Sequence, residues 1–417
     1  MNRSPLVVIL TTVFIDLVGF GIVIPVLPFY AEGTKFNATP RMVGLLFASY
    51  SVMQLIFSPI LGGLSDKYGR RPVLLVSIIG TGIGFLIIGF AETLPMLFLG
   101  RILDGITGGN ISTAQAYIAD ITTKENRATG MGLIGAAFGV GFVFGPAIGG
   151  ILSRWGIYVP FLFAAGLCFA NAILLYFRLP ETVTAQRPPE NRAARGRGFG
   201  QLFKAIKEPS LAFVLTIYFL FIVSFSIMTS SFSFYTMFRF GYDAQHTGLL
   251  FAYVGIIAIV IQGGLIGRLV KRFGELPLII TGALCFAISL FAVPFVGPAA
   301  GGLAGLLIGG GVFSMGNSLA TPALLGLASK NAPPDQQGTI LGVMQSVASL
   351  ARAVGPSLQA LLIASPMAHI GADGQPHFMS DKSLFVTFWT GAAIMMLAFF
   401  LAFYFSRIKT GQSAHPA

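Results

Sequence analysis

Charge is what this 417-residue chain has least of. Asp, Glu, Lys and Arg make up 10% of it, against about 25% in an ordinary soluble domain. That excludes a solvated globular surface. Cysteine is scarce too. Cys168 and Cys285 both lie within apolar runs, where each reads as a small core residue rather than half of a disulfide. The histidines, His246, His369, His377 and His415, fall in loops or the tail. With no Cys/His cluster and no paired carboxylates, neither metal chemistry nor an enzyme is expected. No phosphate-cradling glycine loop is visible, so neither ATP drive nor a cofactor is expected.

Apolar sequence is there instead. The chain is 55% hydrophobic with a mean hydropathy of +0.81. Runs of about 20 apolar residues recur along it, each long enough to cross a bilayer core as a helix. Backbone polar groups in lipid must pair internally, which makes helices the natural reading. The first run is too long for a signal-peptide core and lacks a small-x-small cleavage site, so it is expected to be the first span. The patterning predicts an all-α integral membrane protein of twelve spans, at about 6–30, 42–64, 73–91, 95–118, 128–153, 158–177, 211–237, 247–270, 277–296, 300–327, 338–364 and 384–405.

The net charge of +11 does not point to nucleic acid, because the basic residues sit in short loops between spans. Only Lys35, Arg41, Arg154, Arg239 and Lys382 fall on the side opposite the two termini. The positive-inside rule then predicts both termini in the cytoplasm and a place in the cell inner membrane. A Pro-, Arg- and Gly-rich linker at 179–208 divides the chain into a six-span half at 1–178 and a second half with a short tail at 209–417. Its basic residues suit contact with anionic lipid or a solvated linker equally well.

The halves repeat. "GGLSDKYGRRPVLL" follows span two and "GRLVKRFGELPLII" follows span eight. Aligning Gly69 with Gly274 also brings Gly62 onto Gly267 and Pro72 onto Pro277. In spans five and eleven, aligning Gly145-Pro146 with Gly355-Pro356 also aligns Gly132 with Gly342. Paired six-helix repeats are a transporter signature, with the substrate expected near midplane.

These stretches resemble the major facilitator superfamily over essentially the whole chain. "GGLSDKYGRRP" matches its loop motif, and "LGRILDGITGGNISTAQAYIAD" looks like the motif that carries an intramembrane arginine. "GVGFVFGPAIGG" looks like the motif of its proton-coupled exporters, and "DLVGFGIVIPVLP" resembles the drug:H⁺ antiporters, especially tetracycline-efflux relatives. The resemblance implies a proton-coupled exporter working by alternating access, with small molecules, protons and membrane lipid as partners and a monomer as the unit. A proton-coupled importer or facilitator and a non-transporting receptor are the competing readings.

The residues give candidate roles. Asp16 lies about 15 Å into span one, near mid-bilayer. Ionisation is costly there, so its carboxyl is suited to take up and release a proton. The alternative is a carboxylate held ionised by Arg101 of span four or Arg352 of span eleven. Arg101 and Asp104 share a helical face. They either neutralise each other or form a relay in which Arg101 alternates between Asp104 and Asp16. No acid falls inside a second-half span, which assigns proton coupling to the first half.

Asp66 and Arg70 are placed for charge-assisted hydrogen bonds to neighbouring helix ends, with Arg127 a partner for Asp66 and Asp120 at the cytoplasmic end of span four. This cluster is a static anchor or, as the resemblance implies, a gate. Gly141, Gly145 and Gly149, with Gly135 and Gly139, form a stripe for close helix approach, and Pro146 bends the helix. The resemblance adds a hinge or seal role. Gln54, Asn110, Gln115, Asn317, Gln345 and Arg352 are polar residues within spans, and Phe232 and Tyr235 suit an apolar pocket. Tetracycline exporters carry an acid in span three, a histidine in span eight and another acid in span nine. Here the matching places hold Gly84, an apolar residue, and no acid in "LIITGALCFAISLF". That speaks against tetracycline as the substrate.

Overall fold

The computed structural model describes residues 3–33, 35–122, 127–182, 208–331 and 337–413. The linker beyond Thr182 and up to residue 207 lies outside the described residues. In the first half the helices are α1 (Arg3–Glu32), α2 (Pro40–Tyr68), α3 (Arg70–Gly89), α4 (Leu94–Thr107), α5 (Ile111–Ile121), α6 (Arg127–Leu152) and α7 (Val159–Arg178). In the second they are α8 (Pro209–Phe240), α9 (Ala244–Val260), α10 (Ile266–Phe273), α11 (Glu275–Ala292), α12 (Gly302–Lys330), α13 (Gln337–Ile363) and α14 (Asp381–Ser413). Among the described residues, ten helices are long and apolar enough to cross a membrane.

Two expected spans fall outside those ten. The span expected at 128–153 is α6, part of whose side chains lies outside the described residues. The span expected at 95–118 is not continuous. A 3-10 turn, Gly108–Asn110, separates α4 from α5. The turn packs tightly on α2: a Cβ on Gly109 would lie 2.9 Å from the Ser58 Cα, and one on Gly108 would lie 3.0 Å from the Tyr50 hydroxyl. The turn aims the Gly108 carbonyl at Gln54, whose amide donates to it at 3.0 Å. Span eight is also irregular, with a π-turn at Ile261–Leu265 between α9 and α10. A short antiparallel hairpin, β1 (His369–Ile370) with β2 (Pro376–His377), joins α13 to α14. Sequence patterning did not anticipate it.

Helix ends follow their caps. Pro40 opens α2 behind an N-cap Thr39, where a missing N–H costs nothing. Asp243 caps α9, accepting the His246 N–H at 2.9 Å and lying 2.7 Å from its ring nitrogen. Partial burial pushes the Asp243 carboxyl up, but the bonds from His246 and Gln245 outweigh it and hold it below the usual carboxylate range.

Contacts divide the chain into two compact units: Met1–Gln201 with Tyr242–Ala252, and Leu202–Gly241 with Tyr253–Ala417. Each unit is held by the same pairings. In the first, α1 packs on α6 and α7, and α3 on α4 and α7. In the second, α8 packs on α13 and α14, and α11 on α12 and α14.

Candidate functional site

Asp16 is half-buried on α1. Its Oδ2 accepts a hydrogen bond from the Asn110 side-chain amide at 2.5 Å. Asn110 ends the 3-10 turn of span four, so the helix break is what carries this donor to the acid. The buried Oδ1 of Asp16 has no hydrogen-bond partner among the described residues. Asp16 is thus partnered by an amide rather than by an arginine.

Arg101 is wholly buried on α4. Its Nη1 donates to the Asp104 Oδ2 at 2.7 Å, and its guanidinium lies 4.3 Å from the centre of the Tyr50 ring, a favourable arrangement for a desolvated cation. Its Nε and Nη2 have no hydrogen-bond partner among the described residues. Tyr50 in turn accepts from the Gln54 amide at 2.9 Å. Gln115, on α5, is half-buried. The first unit therefore carries two adjoining polar groups in its core, Asp16–Asn110 and Arg101–Asp104 with Tyr50 and Gln54.

The glycine stripe of α6 fixes the helix that carries Asp16. A Cβ on Gly141 would collide with the Leu17 Cβ at 2.5 Å, one on Gly145 with the Gly21 Cα at 2.6 Å, and one on Gly149 would lie 3.1 Å from the Ile22 Cα. Pro146 lies within α6, its Cδ on the same seam against Gly21. Backbones approach this closely only where side chains are missing.

At the expected cytoplasmic end, α2 stops at Gly69, whose φ of 105° and whose nearness to the Glu181 carboxylate both demand glycine. Arg70, buried just after it, pairs with Asp66 at 2.5 Å and with Asp120 at 3.1 Å, and donates to the Ser65 hydroxyl at 2.5 Å. Thr182 donates to the same Asp120 oxygen at 3.2 Å. Glu181 accepts the backbone N–H groups of Arg70 and Arg71 at 2.9 and 3.0 Å, placing a carboxylate on the positive end of α3. The structure brings Asp66, Arg70 and Asp120 together. The Arg127 side chain lies outside the described residues.

The second-unit candidates are spread over several helices. Asn317 is half-buried on α12 and accepts from Thr321 at 3.1 Å. On α13, Gln345 is half-buried and Arg352 donates to Ser349 at 3.3 Å. Phe232 is buried against the Tyr235 ring. Tyr235 is fully buried, and its hydroxyl lies 3.0 and 2.7 Å from the Val293 and Val296 carbonyls, where α11 unwinds. The hydroxyl is occupied in closing that helix end.

With this geometry stand the likenesses to known proteins. The Major Facilitator Superfamily model matches residues 9–356. The chain belongs to this superfamily. It is 32% identical to the class H tetracycline resistance protein of Pasteurella multocida, with 99% of each chain covered. It is 35% identical to the class C tetracycline resistance protein of Escherichia coli, covering 87% of this chain and 91% of that one. Multidrug resistance protein 2 of Bacillus subtilis is 29% identical, with 87% and 89% covered. Two solved transporters share the fold: the human organic anion transporter MFSD10 (TM-score 0.68, 23% identity, 96% of this chain and 99% of that one) and the nucleoside transporter NupG (0.71, 14%, 97% and 99%).

Within this superfamily chain, Gly84 gains a structural meaning. A Cβ there would lie 3.0 Å from the Gly100 carbonyl and 3.2 Å from the Asp104 Cβ. There α4 leaves little room for a side chain. Sequence reasoning missed Glu181, Thr182, Ser65 and Tyr50. Glu181 meets α3 across 111 positions, so no local spacing announces it. The one signal was an acid just after span six, in "LPET".

Proposed function

We propose that this protein is a proton-coupled exporter of small, lipophilic or drug-like molecules. It works as a monomer in the inner membrane with both termini in the cytoplasm. The names of its relatives, tetracycline and multidrug resistance proteins, support drug efflux, and the site supports proton coupling. The observation that carries the reading is Asp16, the one acid within the apolar run of α1, with one oxygen bonded to Asn110 and the other without a partner among the described residues.

Those two oxygens divide the work. Oδ2 holds the Asn110 amide most strongly when Asp16 is ionised, because a hydrogen bond to a charged acceptor is the stronger one. Oδ1 is the oxygen that takes the proton. Ionised Asp16 places a charge in the apolar core, and protonated Asp16 does not, so the two forms favour different access states. Arg101, already neutralised by Asp104, tunes that balance without holding Asp16. The glycine seam couples α1 to α6, so a change at Asp16 moves both helices together. The Asp66–Arg70–Asp120 cluster gates the cytoplasmic end. In this reading Gln54, Asn110 and Gln115 of the first unit, and Phe232, Tyr235, Asn317, Gln345 and Arg352 of the second, are candidate substrate contacts.

Inverted membrane vesicles test this once a screen of lipophilic compounds in a pump-deficient host has supplied a substrate. Asp16→Asn mimics the protonated carboxyl. It is expected to abolish accumulation driven by a proton gradient while leaving binding and downhill exchange. Accumulation by Asp16→Asn with proton movement intact would make Asp16 structural and end the mechanism.

A further inference from the structure

The turn between α2 and α3 and the turn between α10 and α11 share one backbone geometry and carry opposite charges. Gly69 and Gly274 both adopt positive φ, 105° and 79°. Each closes the helix before it, Gly69 on the Ser65 carbonyl at 3.2 Å and Gly274 on the Val270 carbonyl at 2.9 Å. In that register Lys271 falls on Asp66, and Glu275 falls on Arg70. The partner on the next span is reversed as well. Arg70, the first residue of α3, meets Asp120 near the end of α5. Glu275, the first residue of α11, meets Lys330, the last residue of α12, through its Oε1 and the lysine Nζ. Reversal of residue type hides this copy from a motif, while the positions in the two repeats correspond.

We propose that Glu275 and Lys330 are positioning residues that form a cytoplasmic clasp in the second unit, a charge-reversed counterpart of the Asp66–Arg70–Asp120 cluster. The clasp ties the start of the ninth span to the end of the tenth and opens and closes with the access change. It rests on the transporter reading above. Glu275 is the better-shielded partner, its side chain 13% exposed against 66% for Lys330. A simpler account exists: an acid at a helix N-terminus is favourable through the helix dipole alone, whatever Lys330 does. The two accounts part at Lys330 and at the effect of exchanging the charges.

Full-length protein in inverted vesicles decides between them. Glu275→Gln and Lys330→Ala are each expected to slow transport by about 2- to 5-fold, the range a partly exposed ion pair supports. Binding should be unchanged, and the double variant no slower than either single one. The exchanged pair, Glu275→Lys with Lys330→Glu, is expected to recover the rate, although it puts a cation at the helix N-terminus. A Lys330→Ala variant with the wild-type rate, or an exchanged pair as slow as Glu275→Gln, would overturn the clasp and leave the dipole. Asp66→Asn in the same vesicles keeps the two gates apart. A full rate there removes the first-unit gate, and recovery by the exchanged pair still supports the second. Vesicles of the unaltered protein that move no compound would overturn the transporter reading and the clasp with it.

Discussion

At the scale of single residues, the chemistry turns on which partner Asp16 has. Its depth in span one was legible, because a lone acid in an apolar run is conspicuous. Its partner was not, because Asn110 is 94 positions away and no spacing rule reaches across helices. Asn110 was read as one polar residue among several facing a cavity. In the structure it donates to Asp16, and a hydrogen bond to a charged group is worth about 1.5–3 kcal/mol. Asn110→Ala removes this donor and should change the pH dependence of transport. Transport measured across pH in vesicles checks this. An unmoved profile would mean that the Asn110 bond is formed equally in both protonation states.

At the scale of elements, the helices were legible and their irregularities were not. Glycines are common in membrane helices, so "GITGGN" gave no reason to break span four, and "IQGGL" none to place a π-turn in span eight. Where span four breaks, its neighbour α2 lies too close to Gly108 and Gly109 for side chains there. The glycine stripe of α6 was legible from its spacing of four, but its partner was not. The seam against Leu17, Gly21 and Ile22 makes a definite prediction. Gly145→Ala would set a Cβ 2.6 Å from the Gly21 Cα and 2.7 Å from the Val18 carbonyl, both backbone atoms that cannot turn aside. Overpacking of this kind costs about 1–3 kcal/mol. Gly145→Ala should lower the melting temperature of purified protein and slow transport, whereas Gly63→Ala, at a glycine with open space around it, should do neither. The cap of α9 gives a second prediction. Asp243→Ala should destabilise the protein by about 0.5–1 kcal/mol at neutral pH. The folded carboxyl lies below its ordinary range of about 4, so its contribution is complete above that range and is lost as pH falls through the lowered value. Melting curves of the variant and the parent should therefore converge on acidification below the ordinary carboxylate range. A gap that stays constant with pH would assign the loss to packing rather than to the charged cap.

For the whole molecule, the sequence carries an internal repeat and an uneven distribution of Lys and Arg. Aligned Gly-Pro pairs suggested two related halves, and four of the helix pairings of the first unit recur in the second. The placing of Tyr242–Ala252 with the first unit was not legible, since it depends on Gly150 and Gly248, two glycines far apart in sequence whose backbones meet. The proposed orientation rests on the excess of Lys and Arg on the side of the termini, counted without regard to the acids near them. Cysteines placed singly at Lys67, in the last turn of α2, and at Ala372, in the hairpin between α13 and α14, test the outcome, because both positions are exposed. In intact cells a membrane-impermeant maleimide should label Ala372→Cys and spare Lys67→Cys. In inverted vesicles the pattern should reverse. Labelling of Lys67→Cys from outside intact cells would turn the molecule over. Asp66, Arg70 and Asp120 would then gate the outer mouth, and the proton would have to leave Asp16 on the side from which this mechanism has it enter.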